Sequence, residues 1–383
     1  MYTKVWIGIA VVVAAIAGIF AIVHWKPRTA SEIQVGAILP LTGDVASYGV
    51  AVQQGIELAV DKENRSGGVN GRRLSILYED DKGEPKQGVA AAQKLISMAH
   101  VQVIIGAVPS SVTLAIAPIA ERSRVILFSP ASSSPKLTTA GDYIFRNYPS
   151  DELEGRLVAQ FAVEHGFSTA AILTINNDYG NGLNDVFLKT YVNQGGRVLL
   201  NDKYSQGSGD YRTILTKIKG RSPKCVFIVG YGKELGTIVR QARELGLEVQ
   251  FLSTVNFQDT ETLVTGGKAV EGTIYSSAIF DAESLDPKIN EFISTFKSRF
   301  GKDPDVWSAH GYDALMIIVE AMRKRGTDAD SVKQALYEIR DFPGVAGKTS
   351  IDQNGDPIKA ARFMTIKDAH FTPFTESNPP RQK

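Results

Sequence analysis

Two hydroxyl-rich stretches are the first places in the chain where chemistry could be done. In "VIIGAVPSSVTLAIAP" (residues 103–118) an apolar run breaks at Gly106 and Pro109, and Ser110 and Ser111 stand where a helical pattern begins. "SPASSSPKLT" (residues 129–138) repeats the arrangement with Ala131, Ser132 and Ser133. A hydroxyl at such a junction can cap the helix, attack a substrate or hold a ligand. Anions favour the same place, because the first N–H groups of a helix lack partners and the helix dipole is positive there. Two such junctions on neighbouring strands favour ligand contact over plain capping, since small residues leave backbone amides open to a carboxylate. In this reading Ser110 caps a helix whose remaining donors hold the acid group of a ligand. Tyr179 in "TINNDYGNG" and Tyr231 in "FIVGYGKEL" also follow apolar runs. A phenol there offers an apolar face and a polar tip; singly, each fits packing equally well.

Catalytic patterns are weak by comparison. "GVAGKTS" (residues 344–350) fails as a phosphate loop because Phe342 stands where the first glycine is required. "DQNGDP" begins like a calcium loop, but Pro357 occupies the place of the sharp-turn glycine. G-x-S-x-G and H-E-x-x-H are absent, and the five histidines are scattered without metal-ligand spacing. No metal or cofactor is therefore expected. A hydrolase built on Ser110 stays open, because its base could be distant in the chain.

The elements that must position these residues alternate. Strand-like segments "EIQVGAILP", "GRRLSILYEDD", "VQVIIGA" and "VILFSP" alternate with helical patterns over 47–68, 85–99 and 110–122. The rhythm restarts with helices over 151–165, 179–194, 210–219 and 233–245 between the strands "TAAILTI", "GRVLLNDKY", "KCVFIVG" and "EVQFLST". Long helices follow over 287–300, 308–325 and 328–340, and "TSIDQNGDPIKAARFMTI" reads as a hairpin turning at Asn354-Gly355. This predicts an α/β fold of two similar lobes, each a parallel sheet covered by helices on both faces.

Length and charge agree. The 383 residues suffice for two domains. The 42 basic and 41 acidic residues nearly balance, which argues against nucleic acid as a partner. Cys225 is the one cysteine, so no internal disulfide forms. Near the N-terminus, Lys4 precedes an apolar run from Val5 to Val23, and Trp25, Lys26 and Arg28 follow it. A run of about 20 apolar residues can span a bilayer. Residues 1–31 thus read as a signal or membrane-anchor segment. An uncleaved anchor is preferred, because the small-x-small pattern Ala15-Ile16-Ala17 lies inside the run.

At "VGAILPLTGDVASYGVAVQQGIELAVDKENRSGGVNG", "YEDDKGEPKQGVAAAQKLI", "IIGAVPSSVT", "FSPASSSPKLT", "NNDYGNGL", "GYGKELGTIVRQARELGL" and "GYDAL" the chain resembles the branched-chain amino acid (leucine/isoleucine/valine) binding proteins of ABC transporters. The resemblance runs from about Ile33 to past Phe363. It implies two doubly wound lobes joined by a three-segment hinge, the type I periplasmic binding protein fold, with crossings near Ser150, Ala278 and Arg340. Lobe 1 is then 32–150 plus 279–340, and lobe 2 is 151–278 plus 341–383. Carried over by position, Tyr48 packs on the ligand, Ser110 receives its carboxylate, and Ala131, Ser132 and Ser133 form a second ligand loop. Tyr179 and Tyr231 are the aromatics of the closing lobe, and Trp307 is a further pocket aromatic. The family's ammonium-binding Glu is missing: Val255 stands there, or Asn256 with a one-residue slip. Asp151, at an acidic position bordering the family's cleft, could supply the charge; otherwise the solute lacks an ammonium. The resemblance implies no catalysis, a monomer, a small amino acid, amide or carboxylate as ligand, a membrane permease as partner, and a periplasmic location with or without a tether. A membrane-tethered sensor with the same clamshell is the alternative from another class.

Overall fold

The computed structural model describes residues 32–375. The apolar segment expected to be a signal or anchor lies outside these residues; among the described ones no helix is long and apolar enough to cross a membrane. The chain runs β1 (Ile33–Leu39), α1 (Ala46–Arg65), β2 (Leu74–Asp80), α2 (Pro85–Ser97), β3 (Val103–Gly106), α3 (Ser110–Ser123), β4 (Ile126–Ser129) and β5 (Ile144–Arg146). It continues with α4 (Asp151–Glu164), β6 (Thr169–Ile175), α5 (Asp178–Asn193), β7 (Arg197–Tyr204), α6 (Arg212–Arg221), β8 (Cys225–Val229), α7 (Gly232–Glu244), β9 (Gln250–Ser253), α8 (Thr260–Gly266) and β10 (Ile274–Ala278). The last part comprises α9 (Pro287–Phe300), α10 (Val306–Arg325), α11 (Ala329–Tyr337), β11 (Phe342–Gly344), β12 (Gly347–Ile351), β13 (Pro357–Ile358), β14 (Ala361–Lys367) and β15 (His370–Pro373).

Two main sheets result. The first has the order β2-β1-β3-β4-β5 and is parallel throughout. The second has the order β15-β14-β10-β9-β8-β6-β7. Its strands β6 to β10 are parallel in the same relative order as the first sheet, and antiparallel β14 and β15 extend the β10 edge. These are the two doubly wound lobes. Their central strands are continuously apolar because helices cover both faces: β3 and β8 are buried at every residue.

Helix α10 returns to the first lobe and packs on α1. The helices approach backbone to backbone. A Cβ at Gly55 would lie 2.0 Å from the Ser308 carbonyl oxygen, and one at Gly311 would lie 2.5 Å from that of Val52. No larger residue fits at either place.

The chain crosses between lobes after β5, after β10, and again between β13 and β14. This last crossing corrects the expectation of a crossing near Arg340. Residues 342–358 form a small antiparallel sheet, β11-β12-β13, on the first lobe. Asp313 of α10 holds it by accepting from the N–H groups of Val345 and Ala346, both at 2.8 Å. Arg146 holds its far turn. Its Nε and Nη2 donate to the two carboxylate oxygens of Asp356 at 2.6 and 2.8 Å, and its side chain is 1% exposed. Removing one partner of a buried pair leaves the other charge uncompensated, which costs about 3–5 kcal/mol. Asp356→Ala is expected to lower the unfolding free energy by about 3 kcal/mol, read as an earlier midpoint in a urea titration.

Candidate functional site

In doubly wound sheets ligands bind beyond the carboxyl ends of the strands, where the strand order reverses. Here both sheets present those ends to one another. Tyr48 follows β1, Ser110 follows β3, Ala131 and Ser133 follow β4, Tyr179 follows β6, Tyr231 follows β8, and Asn256 follows β9. With Val108, Pro109, Val255 and Trp307 they line one cavity of about 20 Å³ between the lobes, and none of them is charged. That is room for about one water molecule.

On the first lobe, the hydroxyls organise the loops rather than the helix end. Ser110 is the first residue of α3, and Pro109 holds the cap position without a side-chain bond. This corrects the expectation that Ser110 caps the helix. Its Oγ instead accepts from the N–H groups of Ser133 and Ser134, both at 3.2 Å. An oxygen that accepts twice from the loop must aim its own O–H elsewhere, and Ser110 lines the cavity. Ser129 Oγ accepts from the amides of Ala131 (3.3 Å) and Ser132 (2.9 Å) and donates to the Ala107 carbonyl (2.7 Å). The amides of Ala131, Ser132 and Ser133, expected to lie open, are thus already bonded. Ser132 turns away: its Oγ bonds the Val108 carbonyl (2.9 Å) and Thr113 Oγ1 (2.6 Å). Ser111, expected at the site, is likewise not among the lining residues. No histidine or other base lines the cavity beside Ser110.

On the second lobe, Tyr179 pairs its hydroxyl with Thr254 Oγ1 at 2.7 Å, and Asn177 Nδ2 donates to the Tyr231 hydroxyl at 3.4 Å. Asn256 turns its Nδ2 to the Gly230 carbonyl (3.1 Å). Burial raises the pKa of Tyr48, Tyr179 and Tyr231, so all three remain neutral phenols able to donate. The rings form a chain across the cleft. Tyr148 stacks on Trp307 at 5.3 Å, Trp307 meets Tyr48 edge-on at 5.4 Å, Tyr48 meets Tyr231 at 5.8 Å, and Tyr231 stacks on Tyr179 at 6.0 Å.

Direct bonds hold the lobes shut. The Tyr48 hydroxyl accepts from the Gly232 N–H (2.8 Å), the first residue of α7, and donates to the Asn256 carbonyl (3.1 Å). Ser47 donates to Asp259 (2.9 Å), and Lys136 pairs with Asp178 (2.7 Å). Gly182 of α5 makes the contact possible: a Cβ there would lie 2.8 Å from Pro135 Cδ of the opposite lobe.

Asp151 is brought to the cleft but not into it. It is fully buried at the start of α4, where the Ser133 side chain faces its carboxyl. Burial pushes its pKa up to about 7. The sequence reading missed Glu154, one turn further on and also fully buried. The available signal was the i, i+3 spacing, which sets both acids on one helix face. Tyr148, Asn177 and Thr254 were missed as well, because they act by holding the lining residues. A folded-state pKa above the unfolded value of 3.8 means that the stability Asp151 contributes is lost as pH rises from about 4 to about 7. Asp151→Asn is therefore expected to be more stable than the parent at pH 7.5, by roughly 1–4 kcal/mol. The difference should vanish toward pH 4 in urea titrations across that range.

The chain matches the family described as periplasmic binding protein over residues 32–370. It is 29% identical over 346 residues to a Leu/Ile/Val-binding protein of Rhizobium johnstonii, covering 89% of this chain and 93% of that one. Among solved structures, it superposes on the leucine-binding protein LivK of Thermotoga maritima with a TM-score of 0.86 at 29% identity, covering 90% of this chain and 98% of that one. It superposes on the substrate-binding protein LivJ of Streptococcus pneumoniae, solved in complex with isoleucine, with a TM-score of 0.83 at 26% identity, covering 89% and 98%. The chain belongs to the periplasmic binding protein family, and its relatives set it in the branched-chain amino acid binding group of the type I members, a solute-binding family that performs no catalysis.

Proposed function

We propose that the protein captures a small carboxylate-bearing solute, an amino acid or a close relative, between its lobes outside the cytoplasm, and delivers it to an ABC importer. The observation that carries this reading is the Ser110 hydroxyl. Two loop amides donate to its oxygen. They polarise the O–H, which is left to donate into the cavity that Ser110 lines. It does so at the first turn of α3, where the helix dipole adds positive potential. An acid group is what this end of the cleft recognises. The phenols of Tyr179 and Tyr231 stand opposite and close over the solute.

Capture couples to closure. Tyr48 caps α7 across the cleft in the shut form, so a solute entering the cavity displaces or supplements those bonds, and the lobes settle around it. The form that holds solute is the one a permease in the membrane would read. The R. johnstonii relative and the isoleucine-bound LivJ support an amino acid as cargo. The protein works in this reading as a periplasmic monomer, free or tethered through residues 1–31.

A thermal-shift panel of amino acids, amides and aromatic acids should identify the solute, since a ligand raises stability with the logarithm of its excess over Kd. Against that solute, Ser110→Ala and Tyr231→Ala are each expected to weaken binding roughly tenfold, about the worth of one hydrogen bond in a dry site. Both variants should stay folded, with urea midpoints lowered by the loss of the acceptor for two loop amides at Ser110 and of the buried ring at Tyr231. Calorimetry showing parental affinity in both variants would remove Ser110 and Tyr231 from the site.

A further inference from the structure

The crossings between the lobes converge on one buried side chain of the first lobe. His310 lies near the start of α10 and is fully buried. Asn147, in the first crossing, donates from Nδ2 to the His310 carbonyl (2.9 Å), and the ring of its neighbour Tyr148 lies against the imidazole at 5.1 Å. The Tyr148 hydroxyl faces the N–H of Ala278, where the second crossing begins. Lys359 stands in the third crossing, between β13 and β14. Its Nζ reaches His310 Nε2 (3.3 Å) and the Ala346 carbonyl (3.1 Å).

The partners fix who donates. His310 Nδ1 lies 2.8 Å from the Val306 carbonyl, which can only accept, so Nδ1 carries the hydrogen and Nε2 keeps a lone pair. Burial, with the Lys359 charge beside it, holds the His310 pKa well below the usual value, so the ring stays neutral and Nε2 stays an acceptor. Lys359 is the donor. Burial pushes its pKa down to about 8, against the pull of the Asp313 carboxylate, so at neutral pH it is an ammonium kept away from water. Such a charge is costly unless its bonds replace those to solvent. Asp313 accepts from the amides of Val345 and Ala346 and also faces Lys288 of α9. Lys288 spends its ammonium on the Pro343 carbonyl and the Phe342 ring.

The same histidine is tied to the solute cavity. Trp307, one turn earlier on α10, lines that cavity, and its ring stacks on Tyr148 at 5.3 Å. Tyr148 therefore touches both the histidine of the hinge and the indole of the site.

We propose that Lys359 and His310 are positioning residues for solute binding: they pin the third crossing to the first lobe where the first crossing also attaches, and through Tyr148 they set the Trp307 ring in the cavity. Neither lines the cavity; both act through other side chains. The inference deepens the solute-binding reading above and rests on it. A solute that leans on Trp307 is thereby coupled to the hinge, and the coupling runs both ways.

The test uses Lys359→Met, which keeps the length of the side chain and removes its donors, with Lys288→Met as control. Both lysines brace the small β11-β12-β13 sheet, through the carbonyls of Ala346 and Pro343, so a merely structural role predicts the same outcome for the two. Trp307 is read first, without solute, as the tryptophan emission of the full chain carrying Trp6→Phe and Trp25→Phe, which leaves one indole. Lys359→Met is expected to shift the emission maximum, Lys288→Met to leave it in place, and Lys359→Arg, which keeps charge and donors, to restore it. Calorimetry with leucine is read second. Lys359→Met should weaken binding by about fivefold or more, the low end of ordinary couplings between sites, and Lys288→Met should not change it. Parental emission or parental leucine affinity in Lys359→Met overturns the inference. An equal change in both methionine variants, or a folded Lys359→Arg that reads like Lys359→Met, overturns it too. If leucine does not bind the parent, the amino-acid reading falls and the emission comparison alone decides. Thermal midpoints within a few degrees of the parent separate a displaced indole from lost folding.

Discussion

The carboxyl ends of two parallel sheets face each other across a hinge, and nearly every group that meets the cavity hangs from those ends. This constraint organises the molecule. Parallel strands need helical crossovers, the crossovers cover both faces, and the polar termini of strands and helices are left with the rim. Each lobe repeats the order second, first, third, fourth, fifth strand, so each contributes its reversal point to the same cleft. Hydroxyls and loop amides from one lobe meet phenols from the other without any long insertion to bring them together.

What holds the cleft shut is small in energy and specific in place. The Lys136–Asp178 pair is exposed on the lysine side and is worth at most about 1 kcal/mol. The Tyr48 hydroxyl does more. It satisfies the first N–H of α7 in a dry site, and its ring joins two edge-on contacts in the aromatic chain, each worth about 0.5–1.5 kcal/mol beyond burial. A closure built from a few such terms can be reversed by a bound solute, whereas a closure built on broad apolar contact could not. The broad contact is kept within each lobe, as in the α1–α10 pair with its facing Gly55 and Gly311.

Much of this was legible in the sequence, for local reasons. Helix α9 begins at Pro287 after the capping Asp286 and ends at Gly301 in the left-handed conformation, as its residues announce. The apolar runs of β3 and β8 mark strands buried on both faces. Ser110, Tyr179 and Tyr231 could be proposed for the site because strand ends can be found, whereas Tyr48 came only from the family resemblance. What escaped depends on partners far away in the chain. Asp313 captures the amides of Val345 and Ala346, 32 and 33 residues on, and so moves the third crossing to after β13. Ser132 is a hydroxyl in a hydroxyl-rich loop, and only the carbonyls of Ala107 and Val108 decide that it turns inward. Glu154 reads as a solvated helix residue until the fold buries it.

The narrowness of the shut cleft has a consequence for the contacts made across it. With space of about 20 Å³ between the lobes, the hydroxyls and phenols of the lining face one another with little solvent between them. Each polar contact made there is made in a dry place, where a misplaced group costs more than it would at an open surface.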